Sequence, residues 1–337
     1  MARTWILSRY PDADIDGALA LEDRQPRPLS DGEVRISVQY VSVDPGMRTW
    51  IRQQGSYMAA IPLGSPMPGS ILGTVIETRS HRFAVGDLAA GMGQWSDECV
   101  VADRVLRHVP PGDRSADPLA LMSILGATGW TAYVGMIDVA RPIPGDTVVV
   151  SAAAGAVGSI AGQLARIAGC RVIGMAGSDE KCAWVATELG FDDAINYRTE
   201  NLASRLDALC PDGIDIYFES VGGEVGNTVY PRMAQHGRIA LCGLVSGYNR
   251  PAVASAIDLD ALLMKRVRIE GFNVTDHFSR IGEINGKLAG WIATGELRHH
   301  VELVDGLENC AAALKSMLNS GDRHRGKLLV RIRGEGR

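Results

Sequence analysis

Within Asp146–Gly158, DTVVVSAAAGAVG, small residues stand at spacings suited to gripping a phosphate. An apolar run, Thr147–Val150, leads into Ala152-x-x-Gly155-x-x-Gly158, and the helical run Ser159–Ala168 follows. Small side chains let the backbone approach a dinucleotide pyrophosphate. The helix N-terminus adds N–H groups and the positive end of its dipole. Gly155, Ala156, Val157 and Gly158 are the expected phosphate contacts. Ala152 departs from the G-x-G-x-x-G pattern, and the alternative is a tight strand-to-helix turn that binds nothing.

A second group lies one strand later. Arg171–Met175 ends in Ala176-Gly177-Ser178, with Asp179 beyond it. An acid at this point takes the ribose hydroxyls of NAD. Asp179 could do so, but with Ser178 it is better placed to cap the helix that starts there. Lys181 then falls in the first helical turn, where a cation opposes the helix dipole. A ribose 2′-phosphate would explain it, with Ser178 as a further donor, so the pattern points to NADP. A solvated lysine is the alternative.

The elements that position these residues change character along the chain. Residues 1–120 read as β-rich, with strands expected at Val34–Val43, Ile71–Thr78 and Leu88–Gly93 between turn residues such as Asp31-Gly32, Pro66 and Pro68. Around Pro118–Tyr133 the texture becomes helical. From Asp146 strands and helices alternate. The strands are Thr147–Val150, Arg171–Met175, Asp193–Asn196, Ile214–Glu219, Arg238–Cys242 and Val267–Phe272; the helices are Ser159–Ala168, Asp179–Leu189 and Asn201–Leu209. That alternation predicts a doubly wound parallel sheet with right-handed crossovers. After a long helix near Phe278–Thr294, the tail His300–Ile332 is too short for a domain and is expected to rejoin the N-terminal β module.

Size and composition narrow the class. A chain of 337 residues exceeds one ordinary core, which rarely grows past about 250–300 residues. The net charge of −5 gives no sign of a nucleic-acid partner. No apolar run approaches the roughly 20 residues of a membrane span, and the N-terminus lacks the features of a signal peptide. Six cysteines without a C-x-x-C pair suggest neither a disulfide framework nor a thiolate metal site. The expectation is a soluble, cytoplasmic protein.

Taken together, these motifs identify a resemblance to the zinc-independent medium-chain dehydrogenase/reductases, in the branch of prostaglandin reductases, alkenal double-bond reductases and curcumin-reductase-like enzymes. It covers nearly the whole chain. Its residues are Val41-Ser-Val-Asp-Pro-Gly-Met-Arg48, Leu125-Gly-Ala-Thr-Gly-Trp-Thr-Ala-Tyr133, Ala152–Ser159 and Gly177-Ser-Asp-Glu-Lys181. Further along come Asn196-Tyr197, Phe218-Glu-Ser-Val-Gly-Gly-Glu224, Cys242-Gly-Leu-Val-Ser-Gly-Tyr-Asn249, Gly271-Phe-Asn-Val274 and Gly326-Lys327. The resemblance implies a GroES-like substrate domain, 1–120 plus 296–337, around an inserted Rossmann-type NADP-binding domain, 121–295, and a homodimer. It implies that Lys181 and Tyr197 hold the 2′-phosphate. Cys242, Gly243, Leu244, Val245, Ser246 and Tyr248, with Phe272, Asn273 and Val274, would flank the nicotinamide. Ser220 and His324 stand where the family has Asn, and both can still form hydrogen bonds. Gly46 replaces a Tyr, which would open space near the substrate.

No metal is expected. Where zinc relatives carry ligands, this chain has Val43-Asp44-Pro45 and Pro68-Gly69-Ser70, with Cys99 alone in the cysteine-rich lobe. Its seven histidines show no ligand spacing, and His299-His300 reads as an exposed turn pair. Without zinc, conjugate reduction asks least of the protein. Hydride from NADPH reaches the β-carbon of an enal or enone, and charge grows on the carbonyl oxygen. Tyr248, a good donor and poor base at neutral pH, is the expected enolate stabiliser, with the ribose hydroxyl and water as proton sources; the alternative is that it only supports its loop. Met47, Trp50, Tyr57, Met67, Trp95 and Trp130 are candidates for an apolar pocket lining. Arg48 and Arg52 could meet an acidic group, against the simpler reading of solvated arginines. Quinone reduction, and a catalytically idle NADP-binding protein of the crystallin kind, are the competing functions.

Overall fold

Strands β1 (Ala2–Leu7) and β2 (Leu19–Arg24) pair antiparallel as a two-stranded sheet. In β3 (Glu33–Ser42) apolar and polar residues alternate, and Val34, Ile36 and Val38 are fully buried. Alternate side chains of a strand point to one face, so this pattern seats one face on a core. A short helix, α1 (Met47–Trp50), precedes β4 (Pro68–Thr78), β5 (Leu88–Gln94), β6 (Glu98–Ala102) and β7 (Leu106–Val109). The computed structural model describes residues 1–54, 56, 58–109, 117–249, 256–320 and 324–332.

Next come α2 (Ala127–Tyr133), which runs on as a π-helix over Val134–Ala140, and a regular alternation. It consists of β8 (Thr147–Val150), α3 (Ala156–Ile167), β9 (Arg171–Ala176), α4 (Asp179–Thr187), β10 (Asp193–Asn196) and α5 (Leu202–Leu209). Then follow β11 (Ile214–Glu219), α6 (Gly223–Val229), β12 (Met233–Leu241), α7 (Leu259–Lys265), β13 (Arg268–Gly271) and α8 (Ile281–Ala293). These six strands form one parallel sheet in the order β10-β9-β8-β11-β12-β13. The order reverses between β8 and β11, the point where doubly wound sheets open a crevice at the strand C-termini. Val148, Val149, Val150, Ile173, Ile216, Tyr217 and Phe218 are fully buried, as strands covered on both faces require.

The chain closes with β14 (Val301–Asp305), α9 (Cys310–Ser320) and β15 (Lys327–Arg331). β14 and β15 extend the N-terminal sheet, giving β14-β15-β3-β4-β5-β7 with β6 also on β3. The chain thus divides into two compact units. One takes Met1–Met122, Val301–Ser320 and the chain from Leu328 onward; the other takes Ser123–His300 and a short return that ends at Lys327. Strands β1, β2, β6 and β7 have no counterpart among the sequence expectations, because short segments without clear alternation carry little signal.

Candidate functional site

The glycine-spaced loop sits at the C-terminal end of β8. Ala152 has φ +48, a left-handed conformation at the place where the dinucleotide pattern puts glycine. Its carbonyl accepts from Gly155 N–H (2.8 Å), and a methyl group at Gly158 would stand only 2.4 Å from that oxygen. Gly158 is therefore demanded by the turn itself. Gly155 is the N-cap of α3 and has no side chain to offer, so α3, like α2, α6 and α8 and unlike α4, α5 and α7, starts without a side-chain cap. A helix start left without a side-chain acceptor, at the switch point of the sheet, fits a pyrophosphate.

At the end of β9, Ser178 Oγ accepts from Lys181 N–H (3.3 Å) and so is the N-cap of α4. Asp179 is not the cap, and its carboxylate is engaged by Asn196 Nδ2 (2.6 Å). Lys181 is 6% exposed, which removes the reading of it as solvated. Tyr197 N–H donates to Ala176 O (3.2 Å), bringing that ring to the same strand end, where Arg198 stands over it at 5.9 Å.

The third group is organised by a residue that sequence reasoning missed. Glu219, fully buried, closes β11. Its Oε1 accepts from Ser151 Oγ (3.1 Å), Val221 N–H (2.7 Å) and Gly222 N–H (3.0 Å), and its Oε2 from Tyr230 Oη (3.1 Å). Its main-chain oxygen accepts from Cys242 N–H (2.8 Å) and Gly243 N–H (3.1 Å). Val245 N–H and Ser246 N–H donate to Ser220 O and Val221 O, and Ser246 Oγ also donates to Val221 O (2.6 Å). One carboxylate thus ties the Ser220–Gly222 turn to β8, and that turn holds the Cys242–Ser246 loop. Its signal in the sequence is a charge at the end of the strand Ile214-Asp-Ile-Tyr-Phe-Glu219, directly after the apolar Ile216-Tyr-Phe218.

Ser220 N–H donates to Ser151 Oγ (2.7 Å), while among the described residues the buried Ser220 Oγ has no hydrogen-bond partner. An unmatched hydroxyl at the crevice fits a ligand group. Burial pushes the neighbouring Cys242 thiol up to about 12, so it is protonated at neutral pH and is no nucleophile. Leu244 is exposed. The Tyr248 ring folds back on this loop: a methyl group at Gly243 would lie 3.1 Å from the Tyr248 hydroxyl. Phe272 packs edge-on against Phe218 at 6.4 Å, and Asn273 caps the 3-10 turn that starts at Val274. His324 stands two residues before Gly326, whose N–H donates to Ala154 O (2.9 Å).

Other expectations are corrected. Met47, Met67 and Trp95 are fully buried, and Trp50 and Trp130 are 8% exposed, so these side chains belong to packed interiors. Trp130 Nε1 donates to Asn285 Oδ1 (2.7 Å). Tyr57 lies outside the described residues. Arg48 is not solvated: it is 2% exposed, and its guanidinium donates to Asp12 O (2.6 Å) and Pro11 O (3.3 Å). His299 and His300 are half-buried, the first bonded to Ser123 Oγ (3.0 Å), the second edge-on to Trp184 at 5.6 Å. Among the described residues, no three His, Cys, Asp or Glu side chains gather where they could hold a metal ion.

Residues 3–109 match the family described as N-terminal domain of oxidoreductase, and residues 156–289 the family described as zinc-binding dehydrogenase. The chain is 34% identical over 340 residues to NADPH-dependent curcumin reductase of Escherichia coli (strain K12), covering 99% of this chain and 97% of that protein. It is 37% identical over 312 residues to 2-alkenal reductase (NADP(+)-dependent) of Nicotiana tabacum, covering 91% of this chain and 90% of that protein. It is similar to the crystal structure of CurA from Vibrio vulnificus in complex with NADPH, with a TM-score of 0.92 and 33% identity over 98% of this chain and 99% of that one.

Proposed function

Because the chain belongs to the zinc-independent medium-chain dehydrogenase/reductase family, we propose that it reduces the C=C bond of α,β-unsaturated aldehydes and ketones with NADPH. The observation that supports this most is the uncapped start of α3 at the switch point, flanked by the buried Lys181 and the Glu219-tied loops. Bound NADPH supplies the hydride. The first-turn N–H groups of Ala156, Val157 and Gly158 hold the pyrophosphate, and Gly155, whose N–H closes the turn on Ala152, lets it approach. Ser178, Lys181 and Tyr197 hold the 2′-phosphate through charge-assisted bonds. Ser220, His324 and the Cys242–Ser246 and Phe272–Val274 backbones orient the nicotinamide end. Tyr248 donates a hydrogen bond to the substrate oxygen as it gains enolate charge, an interaction stronger in the transition state than before it.

Other features support a wider setting. Among the described residues no helix is long and apolar enough to cross a membrane, and the cysteines are unpaired; a reduced cytoplasmic protein without nucleic-acid or membrane partners fits both. β13 is the edge of its sheet. An antiparallel two-fold about Ile269 would set each Arg268 opposite the other copy's Glu270, a self-complementary pairing that supports a homodimer.

The test is NADPH consumption with an aliphatic enal, an enone, a naphthoquinone and a saturated alcohol, with products identified by mass. The expected result is saturated aldehyde from enal. NADPH binding without its oxidation across the panel would leave the idle protein as the better reading, and a preference for the quinone would replace the substrate class.

A further inference from the structure

The return segment His324–Lys327 is fastened to the glycine-spaced loop. Gly326 N–H donates to Ala154 O (2.9 Å), Gly326 bridges Gly155 in parallel register, and Lys327 N–H donates to His300 O (2.8 Å). Gly326 has φ +65, and a methyl group there would lie 2.2 Å from His300 O, so only glycine fits. The residue before it is therefore held in one place. That residue is Arg325. Its guanidinium carbon stands 6.0 Å from the centre of the Trp184 ring, and Nη1 lies 3.4 Å from Glu180 Oε1. Both partners are on α4, either side of Lys181, on the helix that Ser178 caps.

Glu180 poses an electrostatic problem for the site as read above. A carboxylate next to Lys181 repels any phosphate held there, and Arg325 is a cation placed to offset it. The Arg325–Glu180 pair is part-exposed, with side-chain exposures of 34% and 78%; such pairs contribute little to folding stability. Its consequence is the field it leaves at the first turn of α4. We propose that Arg325 is a specificity-determining residue for a dinucleotide carrying a 2′-phosphate. It neutralises Glu180 and adds a guanidinium beside Lys181, from a segment whose next residue touches the pyrophosphate loop. This rests on the NADPH reading of the same site.

The test is equilibrium fluorescence titration of the full-length protein with NADPH and with NADH, without substrate. Wild type is compared with Arg325→Ala, Arg325→Lys and Arg325→Ala combined with Glu180→Gln. Arg325→Ala is expected to weaken NADPH about fivefold and NADH less than about twofold, because the Glu180 carboxylate, no longer neutralised, then repels the 2′-phosphate across a part-exposed surface. Arg325→Lys should fall between it and wild type. The double variant should regain most of the NADPH affinity, and added salt should shrink the difference. Equal weakening of both cofactors would overturn the proposal and leave Arg325 as an anchor of the return segment; unchanged NADPH affinity would overturn it outright. A wild-type protein that does not prefer NADPH to NADH would sink the cofactor reading itself, before any Arg325 result is considered.

Discussion

Replacing Glu219 tests whether one carboxylate holds the crevice loops. In the fully buried site its two oxygens accept from Ser151, Val221, Gly222 and Tyr230 at 2.7–3.1 Å. Hydrogen bonds to a charged acceptor contribute roughly 1.5–3 kcal/mol each, but bonds that share one carboxylate do not add. Glu219→Ala leaves four donors facing a cavity, and breaking such a buried network costs about 3–5 kcal/mol. Glu219→Gln keeps the shape and one carbonyl oxygen, which can still serve the Val221 and Gly222 N–H groups. The new amide then faces the Tyr230 hydroxyl, which must turn from donor to acceptor, at a cost of about 1–2 kcal/mol. Urea unfolding followed by circular dichroism measures both values. NADPH titration of the folded Gln variant measures what the loops lose, and weakening of severalfold is expected. An Ala variant with a wild-type unfolding midpoint, or Ala and Gln variants of equal stability, would refute the role of the carboxylate.

Lys181→Ala should raise the Michaelis constant for NADPH about 10–150-fold, the equivalent of roughly 1.5–3 kcal/mol, with little change for NADH; unchanged discrimination in steady-state kinetics would remove Lys181 from the phosphate site. Tyr248→Phe should slow single-turnover hydride transfer by about 10² or less while leaving NADPH affinity in place; loss confined to cofactor binding would make Tyr248 a loop support. Gly155→Val should abolish NADPH binding with only a small fall in melting temperature, because a Cβ there would sit 3.1 Å from Ala152 O, a tight approach that a slight shift of the turn relieves. Gly158→Val should lower the melting temperature more, since its Cβ would stand 2.4 Å from the same oxygen; the reverse order would show that the loop has been misassigned.

Much of the nucleotide unit is legible in the sequence. Thr147–Val150, Asp193–Asn196 and Ile214–Glu219 agree with observed strands residue for residue, since strands buried on both faces read as apolar runs between turn residues. The start of α3 falls three residues ahead of the expected Ser159, because alanine and glycine next to a phosphate loop give no periodic signal. Burial was harder to read. Aromatic and methionine side chains look alike whether they line a pocket or fill a core, and Met47, Met67 and Trp95 fill one. Glu219 was missed because its partners, backbone N–H groups and two hydroxyls, leave no mark of charge or spacing in the sequence.

The division of the N-terminal sheet between both ends of the chain governs its folding. β15 pairs with β3 through Leu329↔Ser42, Val330↔Val41 and Arg331↔Tyr40. β6 covers the other half of the same strand, Glu33–Ser37. All strands of the parallel sheet lie between Thr147 and Gly271, so that unit can close while translation continues. The N-terminal unit, begun first, is completed last. Until Leu329 leaves the ribosome, Tyr40–Ser42 has β4 on one side only, and the backbone groups of its other edge are a template for pairing with another chain. A nonsense change shortly before Leu329 would therefore release a protein with a finished nucleotide unit and an open, adhesive sheet.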